Sequence, residues 1–413
     1  MKVLIAHNFY KQPGGEDHCV AAEIAMLKAH GHTVTEYFVH NNSIDTMNGL
    51  NVAARTIWSR PTFYELRQLF RRHRPQIAHF HNTFPLISPA AYYAARKENI
   101  PVVQTVHNFR LLCANALLFR NGEVCEDCIG KAIGWPGIVH RCYRGSLTAT
   151  SAVAAMLGVH RAMGTWSTAV DMYIALTEFG RRKLVAGGLS ADKVAVKPNF
   201  VDPDPGPGSG AGNYAVFVGR LSTEKGLETL IEAWRQLRGE IPLRIIGDGP
   251  MVEAVKAAAT DAASIQWLGA KPLEAVYEAI GEAAFVVLPS RCYENFPRVI
   301  VEAFAKGTPV IASHLGAMAT IIKDGQTGLL FRSGDAKDLA EKVRLVLANP
   351  STLKCMRQAA RQEFVYNFTA QSNYKTLMGI YARVLGAVAA ETMEQADETT
   401  VFSKRSAGSF NYP

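Results

Sequence analysis

The chain has 413 residues, of which 48% are hydrophobic and 19% charged, with a net charge of +8. That length suggests two domains of about 200 residues each, and the composition is that of a globular protein, not a disordered or fibrous one. Val3 to Ala6 make only a short apolar run before His7, too short for a secretory leader, and no stretch approaches the ~18 apolar residues of a membrane span; a cytoplasmic protein is expected.

Short β-branched runs alternate with helix-like text, the pattern of parallel strands joined by crossover helices. In the first half the runs are KVLIAHNF (2–9), TVTEYFVH (33–40), IAHFHN (77–82), PVVQTVHN (101–108) and MYIALT (172–177). A Pro/Gly-rich stretch, DPDPGPGSGAGN (202–213), reads as a connector with little structure of its own. The pattern restarts with YAVFVG (214–219), LRIIGDG (243–249), IQWLG (265–269), AFVVLPS (284–290) and PVIAS (309–313). The expectation is an α/β protein of two Rossmann-like domains, 1–200 and 214–370, facing each other across a cleft. Helical text over 371–390 is expected to pack back toward the first domain, and the aperiodic tail 391–413 to be disordered.

The charge is uneven. Residues 1–200 hold 22 Lys/Arg against 13 Asp/Glu, and the remainder 22 against 23. The cluster Arg67, Arg71, Arg72 and Arg74 fits either a solvated helix face or contact with an anionic membrane surface or phosphorylated substrate. With no recognised nucleic-acid motif or interleaved aromatics, nucleic acid is not an expected partner.

Open parallel sheets bind ligands at the carboxyl ends of their strands, so the loops there carry the chemistry. After the strand at 214–219, Arg220 and Lys225 stand just ahead of a helix, an anion site suited to a diphosphate. Gly247 opens a second tight turn at the same edge. In the first domain, Gly14 and Gly15 lie between strand and helix, where glycine lets backbone approach a phosphate. This is not GxGxxG, and no acid suited to a dinucleotide ribose stands about 20 residues on, which disfavours hydride transfer. In RCYENFPRVIVEAFAKG (291–307), Glu294 is expected in a loop and Glu302 in the following helix. Both acids are read as aimed outward, since a carboxylate can accept two hydrogen bonds from paired sugar hydroxyls.

Glu294-x7-Glu302 followed by AFAKGTPVIAS, together with Gly14–Gly15, GRLSTEKG, IIGDGP and QTGLLF, resembles the signature of the retaining glycosyltransferases of family 4, which have the two-domain GT-B fold. The resemblance implies transfer of a sugar from a nucleotide-sugar donor, a UDP- or GDP-sugar, to an acceptor hydroxyl with retention of configuration. By position it implies that Arg220 and Lys225 neutralise the donor diphosphate, that Glu302 binds the ribose and Glu294 the transferred sugar, and that Gly14, Gly15, Gly247, Asn295, Phe296 and Val299 complete the donor site. His107, at a strand end in TVHNF, matches a histidine facing the donor sugar. No dedicated nucleophile and no catalytic cofactor or metal is implied. A role in bacterial surface polysaccharide assembly on a lipid-linked acceptor, at the inner face of the membrane, is the leading expectation; a nucleotide-sugar epimerase and a non-catalytic nucleotide-sugar-binding protein are alternatives. Two departures bear on donor identity: Pro297 stands where many relatives carry glycine, and Thr320 where they often carry glutamate.

Four of the seven cysteines, Cys113, Cys125, Cys128 and Cys142, are spaced C-x11-C-x2-C-x13-C. In a reducing compartment this fits either a structural four-thiolate zinc site or four free thiols packing a loop.

Overall fold

The computed structural model describes residues 1–11 and 14–387; the segment 391–413 lies outside the described residues. Two six-stranded parallel sheets form the frame. The first contains β1 (Lys2–Phe9), β2 (Thr33–His40), β3 (Ile77–Phe80), β4 (Val102–Val106), β7 (Met172–Ala175) and β8 (Val194–Val196), in the order β2-β1-β3-β4-β7-β8. The second contains β9 (Ala215–Val218), β10 (Leu243–Ile246), β11 (Ile265–Gly269), β12 (Phe285–Leu288), β13 (Val310–Ser313) and β14 (Gly328–Phe331), in the order β11-β10-β9-β12-β13-β14. Between β4 and β7, β5 (Phe119–Arg120) and β6 (Glu123–Val124) make a small antiparallel hairpin.

The inner strands β3, β4, β7, β12 and β13 are buried along their whole length, as required when helices cover both faces of a parallel sheet. The edge strand β2 alternates between partial burial and exposure. Each sheet reverses direction once. β1 has β2 on one side and β3 on the other, and β9 lies between β10 and β12. At such a switch point adjacent connecting loops diverge and leave a crevice beyond the strand ends.

The chain passes between the domains twice. The connector 202–213 has no regular secondary structure, yet it is pinned to the second domain: Gly208 N–H donates to Lys306 O at 2.9 Å, Gly210 to Gly281 O at 3.0 Å and Gly212 to Glu282 O at 2.9 Å. A Cβ on Gly208 would stand 2.2 Å from Gly281 O, so glycine is what allows this approach. At the other crossing, Val201 pairs with Thr369 and a helix over 370–387 returns to the first domain. Leu377, Ile380, Tyr381 and Val384 of that helix share a core with Val3, Ile5, Val20 and Leu27.

Candidate active site

Both switch points open into one cleft. A cavity of about 1150 Å³ is lined from the first domain by Tyr10, Lys11, Gly14 and Arg144 and from the second by Arg220 and Asp248. Arg220 is exposed at its wall, two residues beyond β9.

Lys225 follows on a 3-10 turn, and Gly226 then enters the next helix with φ +73°. A Cβ on Gly226 would lie 1.9 Å from Pro289 O, so this glycine presses the Lys225 turn onto the loop after β12. That approach brings Lys225 Nζ to Glu294 Oε1, which it reaches with a hydrogen bond of 2.6 Å; Ser290 Oγ donates to the same oxygen at 2.6 Å. The side chains of Lys225 and Glu294 retain 25% and 12% of their exposure. Burial opposes ionisation of Glu294, but the Lys225 ammonium and the two hydrogen bonds outweigh it and hold the carboxyl below its ordinary range. Burial likewise opposes the charge on Lys225, and Glu294 restores it and raises the ammonium above its usual value.

Glu302 lies on the helix Arg298–Ala305, for which Pro297 is the N-cap. It is buried, which pushes its carboxyl up, and only the Arg298 guanidinium at 3.3 Å counters the effect. Neither acid therefore stands free in solvent, as a reading of both as outward-aimed would require: each is mostly buried and held by one cation. The reason is that a loop and a helix start under a sheet edge can shelter a carboxylate when the neighbouring loop or turn supplies its partner.

Arg298 also reaches across the cleft. Its Nη1 donates to Gly15 O at 3.4 Å, and its Cδ would lie 3.3 Å from a Cβ on Gly15. Asn295 Nδ2 donates to Val106 O at 2.9 Å, tying the donor-side loop to the end of β4. Phe296 and Val299 pack beside the second-domain core, Phe296 near Phe368. Gly247, at φ +145°, has a packing role: a Cβ there would be 1.9 Å from Gly219 O, so it lets two cleft loops meet.

On the first-domain side, Gly14 N–H donates to Asp17 Oδ2 at 2.8 Å at the start of the helix Gly15–Ala29. His107 follows β4 and lines a narrow cavity of about 50 Å³ together with Glu16, His81, Asn82, Asn108 and Arg110. His107 Nε2 lies 2.9 Å from His81 Nδ1. His81 Nε2 in turn faces Glu23 Oε1 at 3.3 Å, and Lys197 Nζ donates to Glu23 Oε2 at 2.7 Å. The Lys197 ammonium and the two imidazoles overcome burial and keep Glu23 ionised well below the usual carboxylate range. Burial and the neighbouring imidazoles hold His107 neutral. His81 Nε2 and Glu23 Oε1 face each other without a hydrogen bond, and across the His81 Nδ1–His107 Nε2 contact one ring donates to the other.

Glu23, His79 and His81 bring three potential ligand atoms within 4.8 Å of one another. The buried ammonium of Lys197 supplies positive charge there and Tyr381 OH bonds His79 Nδ1 at 2.7 Å, while Glu23 Oε1 and His81 Nε2 have no hydrogen-bond partner among the described residues.

Sequence comparison matches residues 14–205 to Glycosyltransferase Family 4 and residues 207–363 to Glycosyl transferases group 1. The chain belongs to glycosyltransferase family 4. An uncharacterised glycosyltransferase of Methanocaldococcus jannaschii is 31% identical over 41% of this chain and 46% of that one. A phosphatidyl-myo-inositol mannosyltransferase of Mycobacterium leprae is 27% identical over 60% of this chain and 68% of its own. The chain thus spans less than half the length of the Methanocaldococcus jannaschii relative. Among solved structures, Anabaena HepE in complex with UDP superposes with a TM-score of 0.65 over 93% of this chain and all of that one, at 17% identity. Sucrose-phosphate synthase from Thermosynechococcus elongatus gives 0.70 over 94% and 99%, at 16% identity. These likenesses establish the GT-B fold.

In this family 4 glycosyltransferase the structure adds two residues that motif reading passes over, Arg298 and Glu16. Arg298 bridges Glu302 to the Gly15 carbonyl. Asn295, expected in the donor site, spans the domains through its side-chain amide. Glu16 accepts a 2.9 Å hydrogen bond from Tyr10 OH on one oxygen, while Oε1 is buried with no hydrogen-bond partner among the described residues. Burial, reinforced by nearby Asp17, pushes Glu16 up to about 8 despite the Tyr10 bond. The signal for Glu16 was the acid placed directly after Gly14–Gly15, which reads as a helix-start residue until the cavity is seen.

Proposed function

We propose that the protein transfers a sugar from a UDP- or GDP-sugar to an acceptor hydroxyl with retention of configuration, and that the acceptor carries an apolar anchor. The observation that carries the donor half is the cleft between the two domains, with Arg220 on its wall and the Lys225–Glu294 pair a few residues beyond Arg220 in the chain. Breaking the sugar–phosphate bond builds negative charge on the diphosphate and positive charge on the sugar. Arg220 on the cleft wall and Lys225 would stabilise the first charge electrostatically as it develops. When the diphosphate takes over Lys225, Glu294 is released to bind the hydroxyls of the transferred sugar. Glu302, held by Arg298, takes the ribose. His107, held neutral by burial, faces the sugar from the first domain. The acceptor hydroxyl attacks on the leaving-group face, a phosphate oxygen takes its proton, and no protein nucleophile is used. Closure of the domains through Arg298 and Asn295 excludes water and limits donor hydrolysis.

The acceptor half is supported by an apolar groove of about 760 Å³ that includes Met47, Leu50, Val52, Phe84 and Tyr143. Leu50 on its wall is 83% exposed. Arg144 lines both this groove and the donor cleft, so a lipid tail in the groove would place its phosphate beside the donor. That arrangement suits assembly of a surface polysaccharide on a lipid carrier. Among the described residues no helix is long and apolar enough to cross a membrane, so the groove would have to draw the lipid from a membrane surface.

Screening UDP- and GDP-sugars for protection against thermal unfolding tests the donor assignment. One nucleotide class should raise Tm in the wild type and lose most of its effect in Lys225→Ala. Equal shifts in wild type and variant would remove the assignment.

A further inference from the structure

The stretch 107–146, between β4 and the helix Leu147–Ala162, has a 3-10 turn, two two-residue strands and a five-residue helix, Trp135–Val139; it buries Phe109, Leu112 and Leu118 but exposes Leu117, Ile133, Trp135 and Val139. Segments this poor in regular structure gain from another constraint, and a metal is one of the few available.

Its four cysteines come from four separate turns and line one small cavity. Cys113 follows a 3-10 turn, Cys125 follows β6, Cys128 lies three residues on, and Cys142 follows the short helix. Backbone bonds fix their approach: Cys113 N–H donates to Phe109 O at 2.9 Å, Cys125 to Leu118 O at 2.8 Å and Cys142 to Gly137 O at 3.0 Å. Gly137 brings the helix close, since a Cβ there would lie 3.5 Å from Cys128 Sγ.

The cavity measures about 10 Å³, room for roughly one water-sized sphere. That suits a single ion and not an iron–sulfur cluster. Arg120 and Asp127 line the same cavity and pair with each other at 2.8 Å. No three of the sulfurs lie within 4.8 Å of one another, and Cys113 Sγ is turned to donate to Asn115 Oδ1 at 2.9 Å. Coordination therefore requires side-chain rotation about turns that are already in place.

The same segment touches the donor loop. A Cβ on Gly122, in the hairpin turn, would lie 3.9 Å from the Arg291 guanidinium nitrogens. Glu126, between two of the cysteines, pairs with Lys183, which lies beside Tyr293, the residue before Glu294. Lys183 Nζ lies 5.1 Å over the Tyr293 ring.

We propose that Cys113, Cys125, Cys128 and Cys142 bind one zinc ion in a closed tetrahedral shell, and that this ion braces the 119–128 segment against the loop carrying Glu294. The four protein ligands leave no open coordination position, so the ion acts on structure and not on the chemistry of transfer. Cys19, Cys292 and Cys355 lie outside the cavity and take no part.

The test is elemental analysis of the full-length protein produced in zinc-supplemented medium, followed by colorimetric titration of the zinc that a mercurial thiol reagent releases. About one zinc per chain is expected, released as the thiols are titrated. Cys125→Ser with Cys128→Ser should lose it, and Cys355→Ser should keep it. If the double variant fails to fold, release from the wild type still decides the matter. Zinc below about a tenth of an equivalent, or the visible absorbance of an iron–sulfur cluster, would overturn the assignment. For the bracing role, hydrogen exchange over 291–296 should quicken when the zinc is removed; unchanged exchange there would refute that half of the proposal.

Discussion

Glu294 and Lys225 neutralise each other in the absence of a donor, so each variant at this pair tests two things at once. Glu294→Ala would leave the half-sheltered Lys225 unpaired and mix a stability loss with any loss of transfer. Glu294→Gln keeps the shape and an acceptor for Lys225 and is the cleaner probe of sugar binding. Lys225→Ala should lower kcat roughly 100- to 1,000-fold if it stabilises the departing diphosphate. A change confined to KM, with kcat retained, would mean that it binds ground state and transition state alike. Glu16 gives a separate test by titration. Its folded-state value of about 8 lies above the ordinary 4.5, so the favourable contribution of its protonated form is complete below pH 4.5 and is lost as pH rises toward 8. The Tm of Glu16→Gln minus that of the wild type should therefore grow across that interval. A flat difference would show that Glu16 ionises normally. In its protonated form Glu16 can donate a hydrogen bond into the cavity shared with His107.

At the scale of elements, β-branched runs marked the buried strands because a parallel sheet covered on both faces needs apolar residues without alternation. β8 and β14 were missed: Val194–Val196 is too short to stand out, and Gly328–Phe331 opens on a glycine inside a turn-rich stretch. That glycine is needed because a Cβ at Gly328 would lie 1.9 Å from Val310 O on the neighbouring strand. The site was legible where a loop sequence determines its own chemistry, as at Arg220, Lys225 and Glu294. It was not legible where partners meet only through the fold: Lys197 and Glu23 lie 174 positions apart, and neither sequence context announces the other. Three elements depend on that ion pair, since Glu23 is on the helix after β1, its partner His81 follows β3, and Lys197 follows β8. Glu23→Ala would strand a buried ammonium and should cost about 3–5 kcal/mol in denaturant unfolding. It should also disturb His107 through His81. His107→Ala, by contrast, should impair transfer while retaining most of the stability. If Glu23→Ala unfolds at the wild-type denaturant midpoint, the network is not holding the domain.

For the molecule as a whole, the excess positive charge of the first half proves less available than the sequence suggests. Arg67 and Arg71 converge on Glu98 at 2.8 and 3.0 Å, so two of the four clustered arginines are already paired. The basic residue placed to matter for a phosphorylated lipid is instead Arg144, where the apolar groove meets the cleft. The two domains are joined by two chain crossings and by the returning helix over 370–387, and they touch across the cleft through Arg298–Gly15 and Asn295–Val106. The central claim is transfer with retention at this cleft. The most direct measurement is the anomeric configuration of the new linkage, read by NMR from the one-bond coupling at the transferred sugar's C1, after incubation with the protective nucleotide sugar and a polyprenyl-diphosphate-linked saccharide. The configuration should match that of the donor; an inverted linkage, or an isomerised nucleotide sugar formed with no acceptor consumed, would contradict it.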